Sequence, residues 1–176
     1  MKKYIALLLL TTSMSVAALD IGQINALNTY ATTDTESQAC IAAGDDGCLY
    51  NRLNAASTFT VWRTRVEEQN IYQDSGFNFS LVDGLTAGKR DEWNLLFKTN
   101  SANPSRANIR AGFLDIWSGT AAKNAVNTAI LELSKRFATN AESVLATGTG
   151  SNASPGLLTF EGTISFQDVA RIRLNN

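Results

Sequence analysis

The 176-residue chain contains no histidine. That removes the commonest general base, the Ser/His and Cys/His nucleophile pairs, and most zinc sites. Carboxylate, lysine and tyrosine chemistry survive the exclusion, so an enzyme is disfavoured rather than forbidden. Net charge is nearly absent as well: 15 Lys and Arg against 16 Asp and Glu leave −1. A nucleic-acid backbone calls for a clustered cationic face, and the balance gives no reason to expect one. The apolar run near the start, Tyr4 to Leu10, falls short of the ~20 residues of a spanning helix, so no stable membrane insertion is expected. Cofactor signatures are missing too. The run Thr147 to Gly156, TGTGSNASPG, lacks the Gly-Lys-Ser/Thr ending of a phosphate loop and does not fit the dinucleotide fingerprint. It reads as a mobile loop, and no cofactor is expected.

What is present begins with a leader-like front. A basic start (Met1-Lys2-Lys3), the apolar run and the small residues Ser15 to Ala18 have the form of a secretory leader cleaved near Ala17 or Ala18. A start at Met14, or a segment that is kept, is the alternative. Residues 1–18 are therefore set apart, and residues 19–176 are read as one helical domain, long enough to bury its own core.

The chain holds two cysteines, Cys40 and Cys48, on either side of Gly44-Asp45-Asp46-Gly47. A turn there can bring the sulfurs together into a modest cross-link in an oxidising compartment. Two free thiols are the alternative, and a two-thiolate metal site lacks its other ligands.

Helical spacing organises most of the remainder. Leu19, Ile21, Ile24, Leu27 and Tyr30 form one face behind Asp20 as cap, and a Thr-rich loop is expected from Ala31 to Ser37. Leu49 and Leu53 mark a short helix. Phe59 to Trp62 is either a brief extended entry or the start of a helix running to Ile71. Asp74-Ser75-Gly76 is a turn. Trp93, Leu96 and Phe97 place a helix over about Ala87 to Lys98, and on it the neighbouring carboxylates Asp91 and Glu92 point ~100° apart, so they cannot flank one bond. Asn103 with Pro104 suggests a capped helix start, followed by Ile109, Phe113, Ile116 and Trp117 on one face. Gly112 within that helix suggests a close neighbour. Val126, Ile130, Leu133 and Phe137 predict one long helix from Ala121 to Phe137, with Lys135 and Arg136 in its last turn. Thr139 or Asn140 caps a short helix carrying Val144 and Leu145. Leu157 to Phe160 and Thr163-Ile164 suggest local strand pairing, and Ser165 with Asp168 forms a capping box for a final helix through Val169 and Ile172. The fold class expected is mainly α: a small multi-helix domain with a short β-hairpin-like segment before the C-terminal helix.

The order FTVWRT, WNLLF, NPSRANIRAGFLDIWSGTAA, KRFATNAESVLATGTGSNASP and TFEGTISFQDVARIR, over about Leu19 to Leu174, resembles a family of small, mostly uncharacterised proteins from the structural gene modules of tailed bacteriophages and prophages. The resemblance implies a non-enzymatic virion or assembly component of the head–tail or tail region. It would be assembled in the host cytoplasm and would act through contacts with other virion proteins and with copies of itself. Trp62 with Arg63, Trp93 and Trp117 are the candidate interface residues, since interface hot spots favour tryptophan and arginine. The alternative is a secreted or periplasmic binding module stabilised by a Cys40–Cys48 disulfide.

Overall fold

A computed structural model describes residues 18–74 and 77–175. The leader-like segment up to Ala17, and Ser75-Gly76 of the expected turn, lie outside the described residues. The chain is mainly α.

Three helices come first, each started by an aspartate. Asp20 accepts from the backbone N–H of Gln23 (2.8 Å) and Gln23 reciprocates, opening α1 (Ile21–Thr33) with a capping box. Asp34 caps α2 (Thr35–Ala42) and Asp45 caps α3 (Asp46–Asn54). The loop expected from Ala31 to Ser37 is thus helix on both sides of Asp34. Threonine hydroxyls donate back to carbonyls one turn earlier and carry α1 through its polar end.

Strand β1 (Ala56–Trp62) follows, so the Phe59–Trp62 stretch is extended, not the start of a helix. After β2 (Val66–Glu67) come α4 (Glu68–Gln73), α5 (Ser80–Asp83), α6 (Ala87–Leu96, capped by Thr86), β3 (Ser101–Ala102) and α7 (Ala107–Ile116). β2 and β3 pair antiparallel. The expected cap at Asn103–Pro104 is corrected: the Asn103 carboxamide oxygen accepts from Ser105 N–H (3.1 Å) and Oγ–H in a local turn, and the helix starts only at Ala107. Gly112 does meet a neighbour, since a Cβ there would sit 3.4 Å from the Leu96 methyls of α6.

The long helix expected to Phe137 stops early. Helix α8 covers Ala121–Leu133, and Lys135–Thr139 is strand β4. Ser134 closes the helix on the Ile130 carbonyl with both its N–H and its hydroxyl. The next residues pair antiparallel with β1: Thr60 opposite Phe137, Val61 opposite Arg136, Trp62 opposite Lys135. Tertiary pairing overrides a helical period that continues into the strand by coincidence. Phe137 accordingly sits on a strand and is 64% exposed. Helix α9 (Asn140–Leu145) has the Thr139–Glu142 capping box, and α10 (Phe166–Leu174) the Ser165–Asp168 one.

The loop expected to be mobile is docked along β1. Thr60 N–H donates to the Gly150 carbonyl (2.7 Å), Trp62 N–H to that of Gly156 (3.1 Å), and Gly156 N–H to that of Thr60 (2.9 Å). Phe59 lies over Gly150 and Gly156, where any Cβ would strike its ring, and Gly150 also has φ +66°. Leu157 pairs with Thr147 in an antiparallel bridge, which is the hairpin-like closure before α10; Leu157–Phe160 and Thr163-Ile164 form no strands with each other.

Two buried clusters result. Ile24, Leu27, Leu49, Leu53, Val169 and Ile172 belong to an aliphatic core built by α1, α2, α3, α9 and α10. Trp93, Phe97, Phe113, Trp117, Val126 and Ile130 belong to an aromatic-rich core built by α4, α6, α7 and α8 with β2 and β3. The chain leaves the first core through β1 and returns to it through β4, so the β1–β4 sheet forms where the two crossings meet.

Candidate interaction surface

The candidate interface residues separate in space. Trp93 and Trp117 are 6% and 1% exposed, so neither offers a contact surface: both fill the aromatic core, in T-shaped contact at 5.6 Å. The helical spacing that marked them had core packing as its cause. Trp93 Nε1–H donates to Glu68 (2.7 Å) and to the Tyr72 oxygen (3.0 Å), and the Tyr72 hydroxyl donates to the same carboxylate. Burial and the Glu68 hydrogen bond push the Tyr72 phenol up to about 12. Trp117 Nε1 and Asn127 Oδ1 are buried with no hydrogen-bond partner among the described residues.

Trp62 and Arg63 do reach the surface, at the end of β1 and half-buried. The Arg110 guanidinium lies 4.6 Å from the Trp62 ring centre and the Lys135 ammonium 5.7 Å. Lys135 also holds Glu132 (2.6 Å) and the Asn152 carbonyl (3.0 Å), so it fastens the glycine-rich loop, whereas the sequence placed it in a helix end. Arg63 Nε donates to the carbonyls of Leu133 and Lys135, each at 3.1 Å. An open cleft of about 320 Å³ lies beside it, bounded by Arg65, Val66, Glu67, Asn70 and Leu133.

Arg136, likewise expected at a helix end, makes the most enclosed ion pair. Its two terminal nitrogens lie 2.6 and 2.7 Å from the Glu142 carboxylate, which also accepts from the N–H groups of Thr139 (2.9 Å) and Gly162 (3.0 Å). Glu142 is 2% exposed. Burial pushes its carboxyl up, but Arg136 and the two N–H donors outweigh burial and hold it below the usual range. The pair ties β4 to α9 and to the 161–162 turn.

Cys40 and Cys48 are bonded, with Cα atoms 5.4 Å apart, at the turn between α2 and α3. At the other end of that helical hairpin Arg52 grips Asp34 (2.9 Å) and Glu36 (2.7 Å). Arg52 and hydrogen bonds from Ser37 hold the Asp34 carboxyl far below the usual range. Among the described residues no group of three or more His, Cys, Asp or Glu is arranged to hold a metal ion, and no helix is long and apolar enough to cross a membrane. Comparison with protein-family models, with curated proteins and with solved structures finds no match to this chain.

The Arg63 cleft and the docked loop went unrecognised in the sequence. Charge alternation hid the first, because Arg65 and Glu67 answer each other. The second is held through backbone groups and by the Lys135 side chain, which the sequence placed in a helix end, so Phe59 alongside a run of glycines was its remaining side-chain signal.

Proposed function

We propose that the chain is a non-enzymatic structural or assembly component of a tailed-phage particle, in its head–tail or tail region, acting through contacts with its own copies and other virion proteins. The observation that carries this reading is Phe137. It is a large apolar side chain left mostly in solvent on the outer strand of the sheet that joins the two cores. The carbonyls of Lys135 and Phe137 on that outer edge are occupied by the Arg63 and Arg136 side chains, which discourages strand-to-strand aggregation. The ring is thereby left to side-chain contact with a partner. The family resemblance over Leu19 to Leu174 supports the same reading. Proteomics of purified particles, with light scattering and negative-stain microscopy of the isolated protein, tests it. Expected are particle-bound copies and rings or higher oligomers; a strict monomer absent from particles would sink the proposal.

The Cys40–Cys48 bond, with the leader-like front, favours a second reading: a secreted or periplasmic binding module. Intact mass separates the two. Loss of the leader together with two hydrogens supports export, and a retained Met1 or Met14 with reduced thiols counts against it.

A further inference from the structure

We infer that the cleft beside Arg63 is a docking site for a carboxylate carried on an extended, partly apolar segment of a neighbouring polypeptide. The inference rests on the reading of the chain as a partner in a protein assembly. Arg63 is anchored before any ligand arrives, because its Nε is shared between two backbone carbonyls at 3.1 Å and the guanidinium is held at the cleft wall. Among the described residues no carboxylate pairs with it, whereas Arg65 is already engaged by Glu67 at 3.2 Å. The charges along the cleft therefore sum to one unanswered cation. A fixed guanidinium of that kind suits a carboxylate, whose two oxygens match its fork.

The remaining lining narrows the ligand. Leu133 adds apolar area, and Asn70 offers an exposed carboxamide able to donate and accept. Glu67 at the rim repels a polyanion. Phosphodiester binding needs a run of cations along the backbone path, and here one is free and the other is neutralised. A second opening of about 370 Å³ shares Arg65 and Glu67 and continues past Gln69 and Glu68, whose carboxylate already accepts from Trp93 and Tyr72, to Asn100, so a segment several residues long has room to lie along the surface. These features fit a peptide with one acidic residue between apolar ones.

The test uses the full chain, isotope-labelled, titrated with the blocked peptide acetyl-Leu-Glu-Leu-amide and its Gln counterpart, read by side-chain N–H signals of Arg63 and Asn70. Expected is a saturable shift with the Glu peptide, weakened by added salt and absent with the Gln peptide. Arg63→Gln should bind at least about tenfold more weakly, and Arg106→Gln, away from the cleft, should bind as before. Arg63→Lys keeps the charge without the fork, and serves where Arg63→Gln fails to fold; it too should bind more weakly. Equal shifts with both peptides, no saturable shift, or displacement of the peptide by a short oligothymidylate would overturn the inference. Peptide binding by a protein absent from particles would leave the cleft standing and remove the assembly reading. A particle protein that ignores the peptide would do the reverse.

Discussion

The two cores of this molecule are held by different means. The aliphatic core is made of short helices whose starts are fixed by Asp20, Asp34, Asp45, Thr139 and Ser165, with the Cys40–Cys48 bond and the Asp34–Arg52–Glu36 cluster clamping one helical hairpin from both ends. Among the described residues the aromatic core has no covalent tie, and Lys89 on α6 pairs with Asp115 of α7. This core relies on ring contacts such as Trp93–Phe97 at 4.7 Å and Phe97–Phe113 at 6.0 Å. Rings bury more area per residue than aliphatic side chains, so fewer tethers serve the same end. The contrast shows one chain using many small local constraints on one side and a few large side chains on the other.

The comparison breaks most easily at a ring. Phe113 is fully buried, and Phe113→Ala should lower stability by about 4 kcal/mol in chemical denaturation, against about 3 for Leu27→Ala in the other core. If both variants shift a single transition seen by tryptophan fluorescence and by circular dichroism, the cores unfold together. If the Leu27 variant leaves the fluorescence transition in place in a Trp62→Phe background, they are separate units, since the remaining Trp93 and Trp117 report only the aromatic side. Glu142→Gln tests the junction. Removing one partner of the Arg136 pair leaves a poorly compensated charge and should cost about 3 kcal/mol, with the transition broadened as coupling between cores weakens.

Smaller effects sharpen the contrast. Replacing both cysteines by alanine should lower stability by about 2.5 kcal/mol or less, as expected for a cross-link closing a short loop, and should leave the aromatic near-ultraviolet signal unchanged. Acid should act on the same side and on the junction. Asp34 and Glu142 have folded pKa values below their unfolded ones, so their contribution is complete above about pH 5 and is lost as pH falls through the depressed values. A fall in Tm of on the order of 5 °C between about pH 6 and pH 3 is expected, with helix signal lost before tryptophan fluorescence changes. A pH-independent Tm would show that these pairs contribute nothing net.

Much of the aliphatic side is legible from sequence because caps are local. Asp20, Ser165 with Asp168, and the inward Leu49, Leu53, Val169 and Ile172 announce themselves at fixed spacings. Asp34 and Asp45 are the exceptions, the first a cap concealed among threonines and the second within what reads as a Gly-Asp-Asp-Gly turn. Trp93, Phe97, Phe113 and Ile116 are equally readable as core. The junction is not. Phe137 continues the helical period of α8, and only pairing with β1, more than seventy residues earlier, turns Lys135–Thr139 into a strand. The loop from Thr147 to Gly156 is invisible for a related reason: its attachments to β1 run through backbone N–H and C=O groups, which do not distinguish one side chain from another. The candidate surface inherits this blindness, since Arg63 owes its anchored position to that same distant pairing.

The doubly clamped hairpin has one more consequence. Asp45 N–H still reaches the Cys40 carbonyl (3.0 Å) and Arg52 still grips Asp34 without help from sulfur, so opening the bridge leaves the turn its other fastenings. A copy held in a reducing cell interior and one matured in air should therefore show neighbours the same outline, and the covalent link acts on how long that outline endures, not on what it is.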